Sequence, residues 1–377
     1  MLSNKIGLNI VIFLIVVIPT LFFSFENQIK TVASVVYTQV INSQVFAPQK
    51  DAVGNTLYKG NIYHIFFHSL IVYPELAFNN PRSELYKQYM ITRDEFVKIL
   101  PELYKNNFVL IDINSIYIVN TDGSVVKNPI YLPEGKKPLI ISLDDLSYYD
   151  RELGHGFASK LVIDEKGKVA TEVVMPSGIA TTTRTGDVVP ILDDFVASHP
   201  DFSLQGAKGT IALTGFQGIL GYRTELVDSP THYQDLESVK NVIAKLKATG
   251  WNFASHSYSH EDAFYKGTIS LDELKKDTSR WGAEVKPLVG ETKIFIGPFG
   301  QIFEPKDSRR EYLVSKGFKV FGGVGANLYL RYFGSYIVMD RADIDGYRLS
   351  HNQDLLKPFF DYNAVVDPFF ASSSISR

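Results

Sequence analysis

The chain has 377 residues, 45% of them hydrophobic and 21% charged, enough for one large domain or two ordinary ones with a substantial core. A formal net charge of −3 leaves no electrostatic footprint for nucleic acid. The absence of cysteine excludes disulfides, thiolate metal ligands and a cysteine nucleophile. Trp (2) is scarce beside Tyr (21) and Phe (26), so any aromatic platform for a sugar must come from the latter two.

Ile6–Phe25 carries no charge and is apolar apart from Asn9, Thr20 and Ser24. Its length suits one membrane crossing, which takes about 20 residues. Lys5 precedes it, so residues 1–25 are expected to be a signal anchor with the bulk of the chain extracytoplasmic. A cleaved signal peptide and a secreted product is the alternative, although Ser24-Phe25-Glu26 makes a poor cleavage site. Residues 26–60 show little periodicity and read as a stalk. From residue 61 to 377 the pattern is that of a folded domain.

Tyr63–His68 reads as a buried strand closing on a histidine. Thr92-Arg93-Asp94-Glu95 is a capping box opening a helix with Phe96, Ile99, Leu100 and Leu103 on one face, and Pro101 is expected to kink or shorten it. Phe108–Ile113 and Leu139–Leu143 follow as strands. Strand–helix alternation continues with a strand at Thr210–Leu213, a helix carrying Val239, Val242, Ile243 and Leu246, and a strand at Trp251–Ala254. A second capping box, Ser270-Leu271-Asp272-Glu273, precedes a helix through Trp281. Strands at Ile294–Ile296, Val320-Phe321 and Ile337–Met339 complete the pattern, with a short helix around Arg309–Ser315. Such alternation predicts parallel strands with helices outside, most simply a barrel with its chemistry at the C-terminal strand ends. Residues 148–186 break the alternation, with a hairpin-like Asp164–Lys168, and are expected to form a flap beside the site or a plain surface excursion.

Two short stretches carry the chemistry. Ile140–Asp145 is an apolar run ending in two adjacent acids, a strand that delivers carboxylates at its C-terminal end. His256 and His260 stand four apart, so on one helical turn both imidazoles share a face, a common way to hold a divalent cation. Taken alone, the histidine pair reads equally well as a solvated turn. His155, His199 and His232 have no partner at ligand spacing and read as surface or structural.

From about Asn61 onward the chain resembles the NodB-type polysaccharide deacetylases, carbohydrate esterase family 4. Ser142-Leu143-Asp144-Asp145 is similar to the first motif of that family, and His256-Ser257-Tyr258-Ser259-His260 to the second. Gly209–Gly215 looks like the strand between them, and Ile296-Gly297-Pro298-Phe299-Gly300 like the third motif. The resemblance implies a distorted (β/α) barrel and metal-dependent release of acetate from an N-acetylated amino-sugar polymer of the cell envelope. It implies Asp145, His256 and His260 as ligands of Zn²⁺, with Co²⁺, Ni²⁺ or Mn²⁺ as other choices, and Asp144 as general base. Pro298, Phe299 and Tyr148 are the implied substrate contacts.

The departures are specific. The glycine after the paired acids is Leu146, and the third-motif arginine that steadies the base is Ile296. No late Leu-x-His run supplies the general acid, for which His351 is the late candidate. Arg341 reads equally as a positive charge near the site or as half of a surface salt bridge. A membrane-anchored carbohydrate-binding protein without catalysis, and a metal-dependent amidase acting on another C–N bond, are the rival readings.

Overall fold

The computed structural model describes residues 49–325 and 329–367. The chain divides into two compact units, Met1–Leu57 and Tyr58–Arg377. Of the first, residues 49–57 are described, where Asp51 Oδ1 accepts from the N–H groups of Val53 and Asn55 at 3.0 and 2.8 Å. The anchor expected over residues 1–25 and the first part of the stalk lie outside the described residues. Among the described residues no helix is long and apolar enough to cross a membrane.

In the second unit seven parallel strands close into a ring. They are β1 (Tyr63–Phe67), β3 (Lys137–Asp144), β4 (Thr210–Leu213), β5 (Asn252–Ser255), β6 (Ile294–Ile296), β7 (Val320–Val324) and β8 (Ile337–Asp343), while β2 (Phe108–Leu110) stands beside the ring. The order runs β4-β5-β6-β7-β8-β1-β3, and β3 pairs back onto β4 through Ser142 with Thr210 and Leu143 with Ile211. One edge of β3 pairs with β1 from Leu139 to Leu143. Its other edge is shared: Lys137–Leu139 take β2, and Ser142–Asp144 take β4. That sharing distorts the barrel, because an eight-residue strand outlasts either neighbour on that side.

Period-two alternation explains which residues line the interior. Ile140, Ala212, Ala254, Ile294, Ile296, Val320, Ile337 and Met339 pack together inside the ring. Ile141, Leu143, Ile65, Phe67, Ile211 and Leu213 point the other way, into the layer shared with the helices. The longest helices among the described residues are α1 (Arg93–Lys105), α2 (Val188–Ser198), α3 (His232–Ala248), α4 (Leu271–Glu284) and α5 (Ser308–Ser315). Both capping boxes form, at Thr92/Glu95 and Ser270/Glu273. Pro101 does not stop α1, which runs on to Lys105. The residue whose carbonyl it deprives of a helical donor is Val97, which lies on the exposed side of the helix.

The irregular stretch after the paired acids is more ordered than expected. Ala158–Ile163, Val169–Val174 and Ala180–Thr183 form a three-stranded antiparallel sheet, with the Asp164–Lys168 turn between its first two strands. Leu161, Val169 and Val173 join the main core with residues of α2 and α3. Arg184 clamps the far end to Asp194 of α2 through two hydrogen bonds of 2.8 and 2.6 Å. The sheet's apolar face is therefore spent on the flank of the barrel.

Candidate active site

Because the ring is parallel, every strand delivers its C-terminal end to the same mouth. Asp144 is the last residue of β3 and Asp145 follows it; His256 follows β5; Gly297-Pro298-Phe299 follow β6; His68 follows β1. Arg341 lies within β8.

Asp145, His256 and His260 offer one ligand atom each, all within 4.8 Å of one another. His256 donates from Nδ1 to the Ile296 carbonyl at 2.8 Å, which fixes the tautomer and leaves Nε2 as its ligand atom. Tyr149 donates to Asp145 Oδ1 at 2.6 Å, while Oδ2 faces His260 Nε2 at 3.5 Å. Burial works to raise Asp145, but His260 and His256 hold its carboxyl far below the ordinary range. Burial in turn pushes His260 down, so the imidazole is neutral and its lone pair free to bind. Two imidazoles and one carboxylate, with no sulfur, suit Zn²⁺ or a neighbouring first-row divalent ion.

The histidine pair does not stand on a helix. His256 ends a strand, and Ser257 (φ +59) and His260 (φ +50) take left-handed backbone to bring the second imidazole round. Ser257 Oγ accepts from His260 N at 3.1 Å inside that turn. The turn at the paired acids is similar. In place of a glycine at position 146, Asp145 itself takes φ +59, and Leu146 is buried in the core. Ser147 N–H, which follows the paired acids and would otherwise be free to stabilise an oxyanion, is spent on Asp145 O at 2.6 Å.

Arg341 is no surface residue. It is fully buried and grips Asp144 with two parallel hydrogen bonds, Nη1 to Oδ1 at 2.8 Å and Nη2 to Oδ2 at 2.9 Å. It also donates to Ser142 Oγ (3.1 Å) and from Nε to Gly323 O (3.1 Å), with its guanidinium 4.1 Å above the Phe66 ring. Gly322 makes the room: a Cβ there would meet Arg341 Nε at 3.3 Å. Ser142 Oγ lies 2.9 Å from His64 Nε2, so a polar column runs His64–Ser142–Arg341–Asp144 up the barrel interior. Burial raises Asp144, yet Arg341 and then His256 outweigh it and keep the carboxylate ionised. The charge that Ile296 does not supply from β6 thus arrives from β8.

The expected substrate contacts separate. Phe299 is 47% exposed, with its ring 4.3 Å from that of His260. Pro298 is buried beside it. Tyr148 is completely buried and cannot meet a substrate; its hydroxyl donates to Asp187 at 2.7 Å as an internal strut. His351 is exposed on the helix Gly346–His351, stacked on Tyr347 with Nδ1 donating to the Tyr347 carbonyl (3.1 Å). It makes none of the contacts that hold the acid–histidine cluster together. Reading the sequence missed His68, which is half-buried at the end of β1 with a buried Nδ1 that has no hydrogen-bond partner among the described residues. Its ring follows β1, so it stands at the mouth within electrostatic reach of Asp144, Asp145 and Asp345.

Glu152, just beyond the paired acids, is buried with Oε2 unpartnered among the described residues, and burial pushes its carboxyl up to about 7. The unfolded chain loses this proton near the ordinary glutamate value, whereas the folded chain keeps it until about pH 7. Stability from this group is therefore complete at acid pH and is lost as pH rises to about 7. Glu152→Gln, which mimics the protonated form, is expected to gain stability over the parent by at most about 3 kcal/mol at pH 8 and little at pH 4. Melting temperatures of both proteins at the two pH values check this; equal differences at both refute it.

No family model matches the chain, and no curated protein does. Among solved structures it is similar to the Streptococcus pyogenes deacetylase PplD in complex with acetate, at 12% identity over 80% of this chain and 99% of that one, TM-score 0.44. It is similar to BC0361, a polysaccharide deacetylase from Bacillus cereus, at 10% identity over 76% of this chain and 65% of that one, TM-score 0.41. It is also similar to IcaB from Ammonifex degensii, at 14% identity over 71% and 85% of the two chains, TM-score 0.38.

Proposed function

We propose that this chain is a metal-dependent deacetylase that hydrolyses N-acetyl groups of an amino-sugar polymer and releases acetate. The observation that carries the reading is the meeting, at one barrel mouth, of the Asp145/His256/His260 donor set with an Asp144 kept ionised by Arg341. Asp145 Oδ2 and the two imidazole Nε2 atoms would hold the cation. When bound, a divalent ion there supplies Lewis acidity, lowering the pKa of water and polarising an amide carbonyl.

The chain's own groups divide the proton work. Asp144, ionised at the end of β3, accepts the proton of the attacking water. Arg341 holds that carboxylate in one orientation, so the base does not rotate away from the mouth. His68, at the end of β1 beside β3, protonates the departing amine. Phe299 offers an exposed ring beside His260 for the sugar face. The uncharged run Ile6–Phe25 supports a membrane-anchored, extracytoplasmic enzyme and hence a cell-envelope polymer as substrate.

Acetate release from N-acetylglucosamine oligomers, with and without a chelator, tests the reading. Asp144→Asn is expected to lower kcat by about 10²–10⁴-fold while bound metal persists, because the amide cannot accept the proton. A parent protein that binds metal but releases no acetate from any amino-sugar polymer is instead a carbohydrate-binding protein. Release from small amides alone makes it an amidase.

A further inference from the structure

The turn that carries His260 has two left-handed, non-glycine residues within four positions, a conformation that costs free energy and persists only where its surroundings impose it. Gly215 and Phe216 donate to Tyr258 O at 3.1 and 3.0 Å, and the remaining hold on the turn from outside comes from one carboxylate. Tyr258 N–H donates to Asp277 Oδ1 at 2.8 Å, and Ser259 donates to Oδ2 from both its N–H (2.9 Å) and its Oγ (2.7 Å). Successive N–H groups converging on one anion are a backbone nest, and the left-handed Ser257 just before them aims both inward. Asp277 lies on α4 and is 9% exposed, so these bonds are formed away from bulk water.

The same helix face makes two further ties at helical spacing. Trp281 donates from Nε1 to Leu213 O at 2.9 Å, and that carbonyl also accepts His256 N–H at 3.0 Å. Tyr258 hydroxyl donates to Glu284 at 2.5 Å. Positions 277, 281 and 284 therefore form a template set against the strand ends. Of the three, Asp277 alone grips the backbone between the two candidate ligands.

We propose that Asp277 is the positioning residue for the metal centre, setting the approach of His260 to His256 and Asp145. The inference rests on the metal-centre reading given above. Asp277→Asn keeps the shape but turns an amide N–H₂ toward backbone donors, so at least one of the three bonds becomes a repulsion.

The test is titration of the full chain with Zn²⁺ and Co²⁺ alone, with circular dichroism to confirm folding. The Co²⁺ absorption spectrum reports how the ligands are arranged, which mere loss of folded protein does not alter. Asp277→Asn is expected to weaken Zn²⁺ binding about 10–100-fold and to change the Co²⁺ spectrum. Glu284→Gln, on the same helix face, is expected to match the parent in both. Should Asp277→Asn not fold, Ser259→Ala removes one of the three bonds and is expected to weaken binding by a few-fold. Parent-like binding in Asp277→Asn, or in Ser259→Ala where it must decide, overturns the proposal, as does equal damage in Glu284→Gln. A parent chain that takes up neither ion, like the variant His260→Ala, overturns the metal-centre reading and this inference with it.

Discussion

Arg341→Met is expected to lower unfolding free energy by roughly 3–5 kcal/mol, because it strands the Asp144 carboxylate inside the barrel without its counter-charge. The two groups are 0% and 3% exposed, so solvent does not soften the loss as it would at a surface pair. Acetate release should fall by at least about 10²-fold in the same variant, since an unpaired buried carboxylate takes up a proton and ceases to be a base. Arg341→Lys should fall between, since an ammonium keeps the charge but cannot make two parallel bonds. The double variant Asp144→Asn/Arg341→Met should be more stable than Arg341→Met alone, as it removes the orphaned charge. Urea titrations of the four proteins decide the matter. If Arg341→Met unfolds at the parent's urea concentration, the pair does not carry the buried charge assigned to it.

The second large effect separates two histidines. His68→Gln is expected to cut kcat by about 10²–10⁴-fold with metal content unchanged, since the proton donor is lost and the ligands are not. His351→Gln is expected to behave as the parent, because that ring stacks on Tyr347 and is exposed. Both variants are read by acetate release and metal analysis. Parent-like turnover in His68→Gln, or a large loss in His351→Gln, reverses the assignment.

The difference between those histidines shows what the chain disclosed and what it withheld. Strand-end placement was legible: Ile140–Asp145 is an apolar run stopping at acids, and Tyr63–His68 one stopping at a histidine. The general acid was sought late in the sequence, where the family pattern puts it, although spatial adjacency in a closed ring makes β1 and β8 neighbours as surely as β1 and β3. The apolar run Ile337–Met339 marks only the first part of β8, which runs to Asp343. No local signal marks a strand that continues through Asp340-Arg341-Ala342-Asp343. Its burial becomes tolerable only through Asp144, almost two hundred positions earlier. The Asp277 carboxylate was hidden for a similar reason, as it sits in an otherwise ordinary amphipathic helix. Tyr148 misled in the opposite sense, for a tyrosine beside paired acids reads as a substrate contact until its hydroxyl is found turned toward Asp187.

The column of polar groups inside the barrel has a consequence for assembly. His64 comes from β1, Ser142 and Asp144 from β3, and Arg341 from β8, three strands that lie side by side and close the ring. Their backbone ladder and their interior hydrogen bonds tie the same three strands together. A molecule in which β8 has not paired with β1 therefore holds Asp144 without the guanidinium that keeps its carboxylate in one orientation. The orientation of Asp144 is thus inherited from topology, since its partner reaches it only from a strand two places along the ring.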